Sequence, residues 1–533
     1  MPMDVLNEDD QSSSFHVQKI NGSTFCIRED DAFGEHPFIY AKVHTKAPVI
    51  VLSDTGCDEP RADLQHSRFT RLRRFLEECP LACNGDKPLN PEPDKRKYII
   101  ICSHCHYDHI SGITQFLEGG ETQIIASAAG RDFIESDLDT HGLFNFVDRA
   151  APWYQVTKWV QAFEKLWWHI DASRKLDLGI TFIHTPGHTP DSLAFYDHKE
   201  MHLYVGDSLY EEGKDNMAII WPPQGSMIEW AFSMQKLQYF VKSENARALA
   251  KAKIDTEAES DDDLDVVEQR VKLAAGHQTH SADAEEILGR LEKLFVKALR
   301  NELPVTKKEF HLNEAYYTWR EVGWGMHFSA PARLMDEARS FFRGTGMVEK
   351  GWSFSLSLPG HDGSPNGVEL ETHPTAQKLA ARAKEFMSEI QNLTPGKDLE
   401  SRLNREYGPG NAYYEDFCKY IKQGLDEGWI SLPSASNLYM SLTAVYFDSQ
   451  PEYSGQYHKH PYGEINCVVP IDEGFELEGL PEGFWQGAGW TSLGPGTHHY
   501  PRARGGRGVA FFFLPSGRIA YDARPGEPQP VSI

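Results

Sequence analysis

The sequence predicts an α+β protein with two domains, and three observations carry this prediction. The chain has 533 residues, 40% of them hydrophobic, which is too long for a single core. Its first part contains short apolar runs that end at a His or an Asp, as at 98–109, and such runs indicate buried strands. From Leu438 onward, short apolar runs alternate with Gly and Pro, which is typical of β-structure.

Composition divides the chain into two predicted domains and a linker. Residues 15–350 are expected to form the first domain, 351–373 the linker and 374–530 the second domain. The linker is predicted from a stretch rich in Gly, Pro and Ser, which rarely forms regular elements. Helices are expected at 333–339, where the first domain closes, and at 375–389 and 416–428 in the second domain.

The segment 104–109, His-Cys-His-Tyr-Asp-His, concentrates side chains that bind metals. It follows the β-branched run 98–102, so the ligands should lie in the loop at the C-terminal end of a strand. A backbone that leaves a strand can direct His104 and His106 at one point, and Asp108 and His109 at a neighbouring point. The side chain of Cys105 is expected to point away. Two separated groups predict two metals.

Three later segments repeat the placement of one ligand after an apolar run. His188 follows the strand-like run 180–183 across a Pro-Gly turn, Asp207 ends the run 203–207, and His277 follows 273–275. The repetition extends the predicted metal site to these three side chains.

Together with Asp54-Thr55-Gly56, these motifs resemble the metallo-β-lactamase superfamily over residues 15 to 340. The resemblance implies a four-layered αββα sandwich with a dinuclear metal site along one edge. It implies that the first metal is held by His104, His106 and His188, the second by Asp108, His109 and His277, and that Asp207 bridges the two. Asp54 would support the metal-binding loops by accepting a hydrogen bond from a ligand His. A turn aspartate without this role is the alternative.

Such a donor set suits two divalent metals, first of all Zn²⁺, with Mn²⁺ or iron as alternatives. Two ions roughly 3.5–4 Å apart lower the pKa of a bridging water and polarise a carbonyl under attack. We therefore expect metal-bound hydroxide to attack an acyl carbon, with Asp108 or Asp207 steering the proton to the leaving atom.

Tyr210, three residues after Asp207, narrows the expected substrate. This spacing resembles the lactone-hydrolysing branch of the superfamily, in which such a phenol binds the substrate carbonyl and helps to stabilise the oxyanion. A packed tyrosine with a locally bonded hydroxyl is the alternative. His106 speaks against the diiron oxygen-reducing branch, and a net charge of −25 disfavours nucleic acid as a partner. The expected partner is a small-molecule cyclic ester or amide.

The C-terminal β-rich part contains a second set of candidate ligands. His458, His460 and Glu464, with His499 from a later segment, resemble the metal site of a small cupin β-barrel. The glycine spacing around them departs from the usual cupin pattern. A third metal therefore stays an open alternative, and so does the replacement of His499 by His498.

Residues 375 to 525 resemble the bacterial 4-hydroxylaminobenzoate lyase family through the segments 399–409, 424–429 and 458–465. The resemblance implies a domain that acts on hydroxylamino- or amino-substituted aromatics and releases ammonia. A ligand-sensing domain whose histidines merely pack is the alternative.

The pairing of the two domains predicts a hydrolase in the catabolism or detoxification of aromatic compounds. In layout the chain is similar to fungal lactamases of the metallo-β-lactamase type that open benzoxazolinone. The alternatives are a mononuclear-iron persulfide dioxygenase on the same scaffold, a non-catalytic binding protein stabilised by metal, and a C-terminal lyase as the main activity.

The bulk properties predict a cytoplasmic protein without a membrane partner. Residues 1–14 are polar and acidic, no apolar window approaches 18 residues, and the eight cysteines lack the pattern of a secreted disulfide framework. The sequence gives no signal for the oligomeric state.

Overall fold

The computed structural model describes residues 13–118, 122–162, 164–171, 173–258, 269–342, 374–390, 395–427, 440–449, 451–455, 457–460, 463–515 and 525–526. The chain divides into two units, Met1–Phe341 and Phe342–Ile533. The predicted linker at 351–373 lies outside the described residues, so the limits of the two domains stay predictions.

A seven-stranded sheet forms one layer of the N-terminal unit. Its strands are β1 (Phe15–Lys19), β2 (Thr24–Glu29), β3 (Phe38–Val43), β4 (Val49–Ser53), β5 (Lys97–Ile101), β6 (Gln123–Ser127) and β7 (Lys158–Val160), in this spatial order. Strands β1 to β4 pair antiparallel, whereas β4 to β7 are parallel. Because β4 and β5 are parallel, the segments that follow them leave the sheet at the same edge.

A six-stranded sheet forms the second layer. Its strands are β8 (Lys165–His169), β9 (Lys175–His184), β10 (Leu193–Asp197), β11 (His202–Tyr204), β13 (Lys272–Ala274) and β14 (Ala282–Asp283). Their spatial order is β14-β13-β11-β10-β9-β8. The predicted strands at 98–102, 203–205 and 273–275 are confirmed to within one residue, and 180–183 lies inside the longer strand β9.

A four-stranded sheet and seven α-helices complete the strands and α-helices of the described part of this unit. The strands are β12 (Ile219–Ile220), β15 (Val305–His311), β16 (Glu314–Trp319) and β17 (Phe328–Pro331), in the order β12-β17-β16-β15. The helices are α1 (Leu72–Glu78), α2 (Tyr107–Ile110), α3 (Arg131–Ser136), α4 (Leu138–His141), α5 (Met227–Ala258), α6 (Ala284–Leu299) and α7 (Ala332–Phe342).

Alternation along β5 shows how the two large sheets stack. Tyr98 and Ile100 belong to the core shared with α1. Ile99 and Ile101 face the second sheet, in a core that includes Phe182 of β9. On the other face of the second sheet, Tyr196 packs on Phe240 of α5 with ring centroids 4.8 Å apart. The predicted αββα sandwich is confirmed, with a helix layer outside each sheet.

The C-terminal unit combines three helices with β-structure. The helices are α8 (Pro374–Glu389), α9 (Lys397–Glu406) and α10 (Ala412–Asp426). The strands are β18 (Met440–Ser449), β19 (Tyr453–Ser454), β20 (His458–Lys459), β21 (Glu464–Pro470), β22 (Glu476–Glu478), β23 (Trp485–Gln486), β24 (Gly489–Leu493), β25 (His498–His499), β26 (Arg502–Arg504) and β27 (Gly506–Pro515).

Two cores hold the C-terminal unit together. The sheet β18-β27-β21-β24 packs one face on the three helices, where Phe386 stacks on Trp490 at 5.1 Å. Its other face packs on the sheet β19-β26-β22-β23 through residues such as Val468 and Leu477. This helical and β-rich arrangement is consistent with the predicted cupin-like domain.

Two further sequence predictions concern the whole chain. None of the eight cysteines, all of which lie among the described residues, forms a disulfide. Among the residues that the structure describes, no helix is both long and apolar enough to cross a bilayer.

Candidate metal centres

Three histidines of the N-terminal unit turn one ring nitrogen each towards a common point. His106 Nδ1 lies 2.9 Å from His104 Nε2 and 3.1 Å from His188 Nε2. His104 and His106 follow β5, and His188 follows β9, so the two sheets bring them together at one edge. We call these three side chains the first group; they are the residues that the family resemblance implies for the first metal.

In two rings of this group, the nitrogen that faces away from the common point makes a hydrogen bond, and this bond fixes the tautomer. Nδ1–H of His188 donates to the carbonyl of Ile220 at 2.7 Å. Ser103 Oγ donates its proton to Asp54 Oδ2 at 2.7 Å, so it accepts from Nδ1–H of His104 at 3.1 Å. With both protons outside, the Nε2 lone pairs of His104 and His188 face the common point, as a cation requires.

A second group, Asp108, His109, Asp207 and His277, lies beside the first. His109 Nε2 is 3.2 Å from Asp108 Oδ2 and 3.4 Å from Asp207 Oδ1. His277 Nε2 is 3.2 Å from Asp108 Oδ2 and 3.3 Å from Asp207 Oδ2. The ligand atoms of the four buried side chains all lie within 4.8 Å of one another. Asp207 belongs to this group, and its predicted bridging of two metals stays a prediction.

Asp54 connects the two groups. Its Oδ2 accepts from Nδ1–H of His109 at 3.0 Å and from Ser103 Oγ, whose other contact is His104. Its Oδ1 accepts the Ser103 backbone N–H at 2.7 Å. The carboxylate thus orients one imidazole directly and a second through a hydroxyl. This is the geometry of a supporting residue behind metal ligands.

Electrostatics differ between the groups. Burial, and then the neighbouring His188, lower the pKa of His106 to about 3, and burial also lowers the pKa values of His104 and His188. In the second group burial opposes the charged form of His277, but Asp207 and Asp108 outweigh it and raise its pKa to about 10. The first group therefore offers neutral lone pairs, and the second attracts positive charge.

Unpaired buried atoms show that the donor set fits metal cations. Despite the close contacts given above, His109 Nε2 and Asp207 Oδ1 are buried without a partner in hydrogen-bond geometry among the described residues, a state that costs about 1–3 kcal/mol per group when nothing compensates. Neutral imidazoles and carboxylates are the donors that zinc and related divalent metals take. Gly276 allows the close approach, because a Cβ there would lie 2.1 Å from Asp207 Oδ1.

Tyr210 is placed differently from its predicted role. Its ring lies 5.6 Å from that of His277, but its hydroxyl donates to the carbonyl of Ala218 at 2.7 Å and the residue is buried. A phenol has one proton to donate, so this bond occupies it. The structure thus favours the local alternative over an oxyanion contact. Cys105 is buried outside both groups, as expected.

The C-terminal unit holds a third group. His460 Nε2 lies 2.9 Å from His458 Nε2 and 3.2 Å from His499 Nε2, since β20 pairs with β25 so that His458 is opposite His499. Burial, and then His458, lower the pKa of His499 to about 3. His498 is not part of the group.

Glu464 corrects one assignment in this third group. Its Oε2 lies 3.4 Å from His460 Nδ1, the nitrogen that faces away from the other histidines. Its Oε1 accepts from Asn466 Nδ2 at 2.6 Å, and burial raises its pKa to about 8. The structure therefore places Glu464 behind His460 and not among the converging ring nitrogens.

Three contributors were not foreseen from the sequence: the Ser103 side chain and the carbonyls of Ile220 and Glu35. Nδ1–H of His277 donates to the Glu35 carbonyl at 2.9 Å. Every type of residue carries the same main-chain carbonyl, so no sequence signal marks the carbonyls that act as acceptors here. Ser103 directly precedes His104, and a hydroxyl beside a ligand was the only available sign.

Comparisons with known proteins match the two units to two different families. The metallo-β-lactamase superfamily profile matches residues 50–252, and the 4-hydroxylaminobenzoate lyase profile matches residues 381–521. A 4-hydroxylaminobenzoate lyase from Nocardioides sp. (strain LMS-CY) is 46% identical over 166 residues, which are 28% of this chain and 97% of that protein. The lyase from Pseudomonas putida is 41% identical over 161 residues, 26% of this chain and 90% of that protein.

Among solved structures, an archaeal metallo-β-lactamase superfamily protein from Sulfolobus tokodaii aligns with 14% identity and a TM-score of 0.31. The alignment covers 52% of this chain and 87% of that protein. On the two family matches and the lyase relatives alone, the chain belongs to the 4-hydroxylaminobenzoate lyase family through residues 381–521, and its residues 50–252 form a metallo-β-lactamase superfamily domain.

Proposed function

We propose that the N-terminal unit is a hydrolase that uses two divalent metals to open a cyclic ester or amide. The observation that carries this proposal is the convergence of two adjacent, buried groups of ring nitrogens and carboxylate oxygens. The first group would hold one metal and the second group the other. Zn²⁺ suits the nitrogen-rich first group best, and Mn²⁺ or iron is the alternative.

Bound divalent metals would supply a water molecule ionised near neutral pH and a polarised substrate carbonyl. The protein's own part is to hold the ligands and to move a proton. Asp108 is the residue that we assign to the proton, because its carboxylate lies between His109 and His277 at 3.2 Å from each. Asp54 keeps His109 in the tautomer that leaves Nε2 free of a proton.

We infer that the substrate is an aromatic lactam or carbamate of the benzoxazolinone type. The fusion of two units in one chain supports this inference, because the C-terminal unit belongs to a lyase family whose named members act on a hydroxylamino-substituted benzoate. Ring opening of an aromatic lactam yields an amino-substituted aromatic, which is related chemistry. The proposal includes a catabolic or detoxifying role in the cytoplasm, with neither nucleic acid nor membrane as a partner.

The test is incubation of metal-loaded, full-length protein with benzoxazolinone and with a panel of γ-lactones. We expect loss of the closed-ring absorbance with benzoxazolinone, dependent on added Zn²⁺ or Mn²⁺ and abolished by chelator. Turnover of lactones alone would correct the substrate class. No turnover of any cyclic ester or amide by protein with both groups loaded would refute the hydrolase.

The persulfide dioxygenase alternative is separable by metal analysis. That activity would need one iron in the N-terminal unit and would consume oxygen with a persulfide. The carboxylate-containing second group favours hydrolysis, because it offers a second cation site beside the first. Oxygen uptake by iron-loaded protein, with no hydrolysis under Zn²⁺, would reverse this preference.

A second activity is proposed for the C-terminal unit: release of ammonia from a hydroxylamino- or amino-substituted aromatic. The converging Nε2 atoms of His458, His460 and His499 support it, since three neutral imidazoles suit one divalent metal. The test is ammonia release from 4-hydroxylaminobenzoate by the full chain. A ligand-sensing unit would bind the compound and leave it unchanged.

A further inference from the structure

The imidazole of His277 depends on a main-chain atom for its orientation. Its Nδ1–H donates to the carbonyl of Glu35 at 2.9 Å, which directs Nε2 towards Asp108 and Asp207. A carbonyl cannot rotate independently of its chain. The conformation of the loop between β2 and β3, residues 30–37, therefore determines where this acceptor lies.

One carboxylate organises that loop. Asp31 Oδ1 accepts the backbone N–H groups of Phe33 and Gly34 at 2.8 Å each and of Glu35 at 3.2 Å. Its Oδ2 accepts the N–H of His36 at 2.7 Å. The Asp31 side chain is fully buried, so water does not replace these bonds. Four consecutive amides thus point at one side chain.

The loop also contains backbone that needs such support. Gly34 has φ of 82° and His36 has φ of 53°, and a residue with a Cβ rarely adopts the left-handed region. Without an acceptor for its N–H, His36 would return to an extended or right-handed conformation, and the Glu35 carbonyl would move with it.

Contacts on both sides connect the loop to the second group. Phe38 N–H, at the start of β3, donates to the carbonyl of Gly276 at 2.7 Å, directly before His277. The Glu35 carboxylate accepts from the Tyr107 hydroxyl at 2.6 Å, directly before Asp108. The loop therefore touches the chain beside two of the four ligand candidates.

We propose that Asp31 is a positioning residue for the second group, acting through the Glu35 carbonyl on His277. The proposal rests on the proposed function, because it assumes that the second group holds a metal. Among the described residues, Asp31 has no contact with the first group, so its substitution should act mainly on the second of the two metals.

The experiment compares metal affinities of the full-length protein with Asp31→Ala and Asp31→Asn, by competition of Zn²⁺ with a chromophoric chelator. We expect Asp31→Ala to weaken the second-group metal about 10–100-fold and to weaken the first-group metal by a clearly smaller factor. Asp31→Asn keeps an oxygen that can accept the three N–H groups bonded to Oδ1, so it should recover most of the affinity. The C-terminal group is present in every variant and cancels in the comparison.

Asp171→Ala is the matched control. Asp171 Oδ1 likewise accepts backbone N–H groups, from Ser173 at 2.9 Å and Arg174 at 3.0 Å, in the turn between β8 and β9. This substitution should change neither affinity. A second readout is the visible absorption of Co²⁺-loaded protein, in which Asp31→Ala should alter only the bands that Asp108→Ala removes.

Several outcomes would overturn the proposal. Unchanged affinities in Asp31→Ala would do so, and so would an equal loss of both metals, which indicates a general effect on folding. Should Asp31→Ala fail to fold, Asp31→Asn decides: its amide nitrogen cannot accept the His36 N–H, so the proposal then requires a small but selective weakening of the second-group metal. If Asp108→Ala itself removes no metal relative to the unmodified protein, the proposed function fails, whatever Asp31 does.

Discussion

The N-terminal and C-terminal centres present imidazoles to a cation in different ways. In the N-terminal centre four histidines, His104, His109, His188 and His277, have their outer nitrogens bonded to fixed acceptors, and two carboxylates join the second group. In the C-terminal group the Nδ1 of His499 has no hydrogen-bond partner among the described residues, and Glu464 lies behind His460. The N-terminal ligand candidates are thus already oriented for a cation, whereas in the C-terminal group a bound metal would have to supply part of that order.

The largest expected effect breaks the N-terminal centre alone. Asp108→Ala and His109→Ala should each lower hydrolysis of the ring substrate by more than ~100-fold, because each removes a proposed metal ligand of the second group. Loss of a residue that only hydrogen-bonds to a metal ligand already lowers activity by up to about 100-fold. Lyase activity should stay within about 2-fold. The measurement is kcat for both reactions on one full-length preparation. Retention of hydrolysis in both variants would contradict the two-metal centre.

The converse substitution breaks the C-terminal centre. His460→Ala removes the imidazole that contacts both His458 and His499, so we expect ammonia release to fall about 100-fold. Hydrolysis should not change. Glu464→Gln is the companion variant: a modest loss fits its place behind His460, whereas loss as complete as in His460→Ala would restore it as a ligand.

A third substitution sharpens the comparison, because it tests preorganisation without touching a ligand. Asp54→Ala should weaken metal binding and hydrolysis about 10-fold, since His109 loses its acceptor and Ser103 loses its partner. Asp54→Asn retains one oxygen and should lose less. Equal metal affinity and equal hydrolysis in Asp54→Ala and the unmodified protein would show that the hydrogen bonds behind the ligands contribute to neither.

The last prediction has the smallest expected effect on activity, because it concerns the dependence of the unfolding free energy on pH. Each unit buries a carboxyl whose pKa is about 8, Glu29 and Glu464. Glu29, which accepts Cys57 N–H at 2.7 Å, has an ordinary value near 4.5, and burial is the main cause of its shift. Between these values the unfolded chain releases a proton that the folded chain keeps. The free energy of unfolding therefore falls as pH rises through this window.

Glu29→Gln should remove that contribution. A neutral side chain has no proton to release, so the variant should be more stable than the unmodified protein near about pH 8, by up to roughly 5 kcal/mol, and lose this advantage near about pH 5. Urea unfolding of both proteins at the two pH values measures the difference. A difference in unfolding free energy that is the same at both pH values would contradict the assigned shift.

Much of the N-terminal architecture is predictable because its signals are local. Short β-branched runs gave the strands, and the ligands follow those strands within a few residues, as His104 follows β5. What escaped prediction depends on distant parts of the chain. The carbonyls of Glu35 and Ile220 are 242 and 32 residues from the histidines that they orient. Tyr210 finds its acceptor in Ala218, across a loop whose course no pattern specifies.

The position of Asp54 has a consequence for how the N-terminal centre fills. The Asp54 carboxylate orients His109 directly and His104 through Ser103. A cation that fixes the orientation of one imidazole therefore also fixes the carboxylate that orients the other. Occupancy of the two positions is then thermodynamically linked, and each ion raises the affinity for its neighbour by the same factor. Titration should show cooperative loading, which would vanish when Asp54 is replaced by Ala.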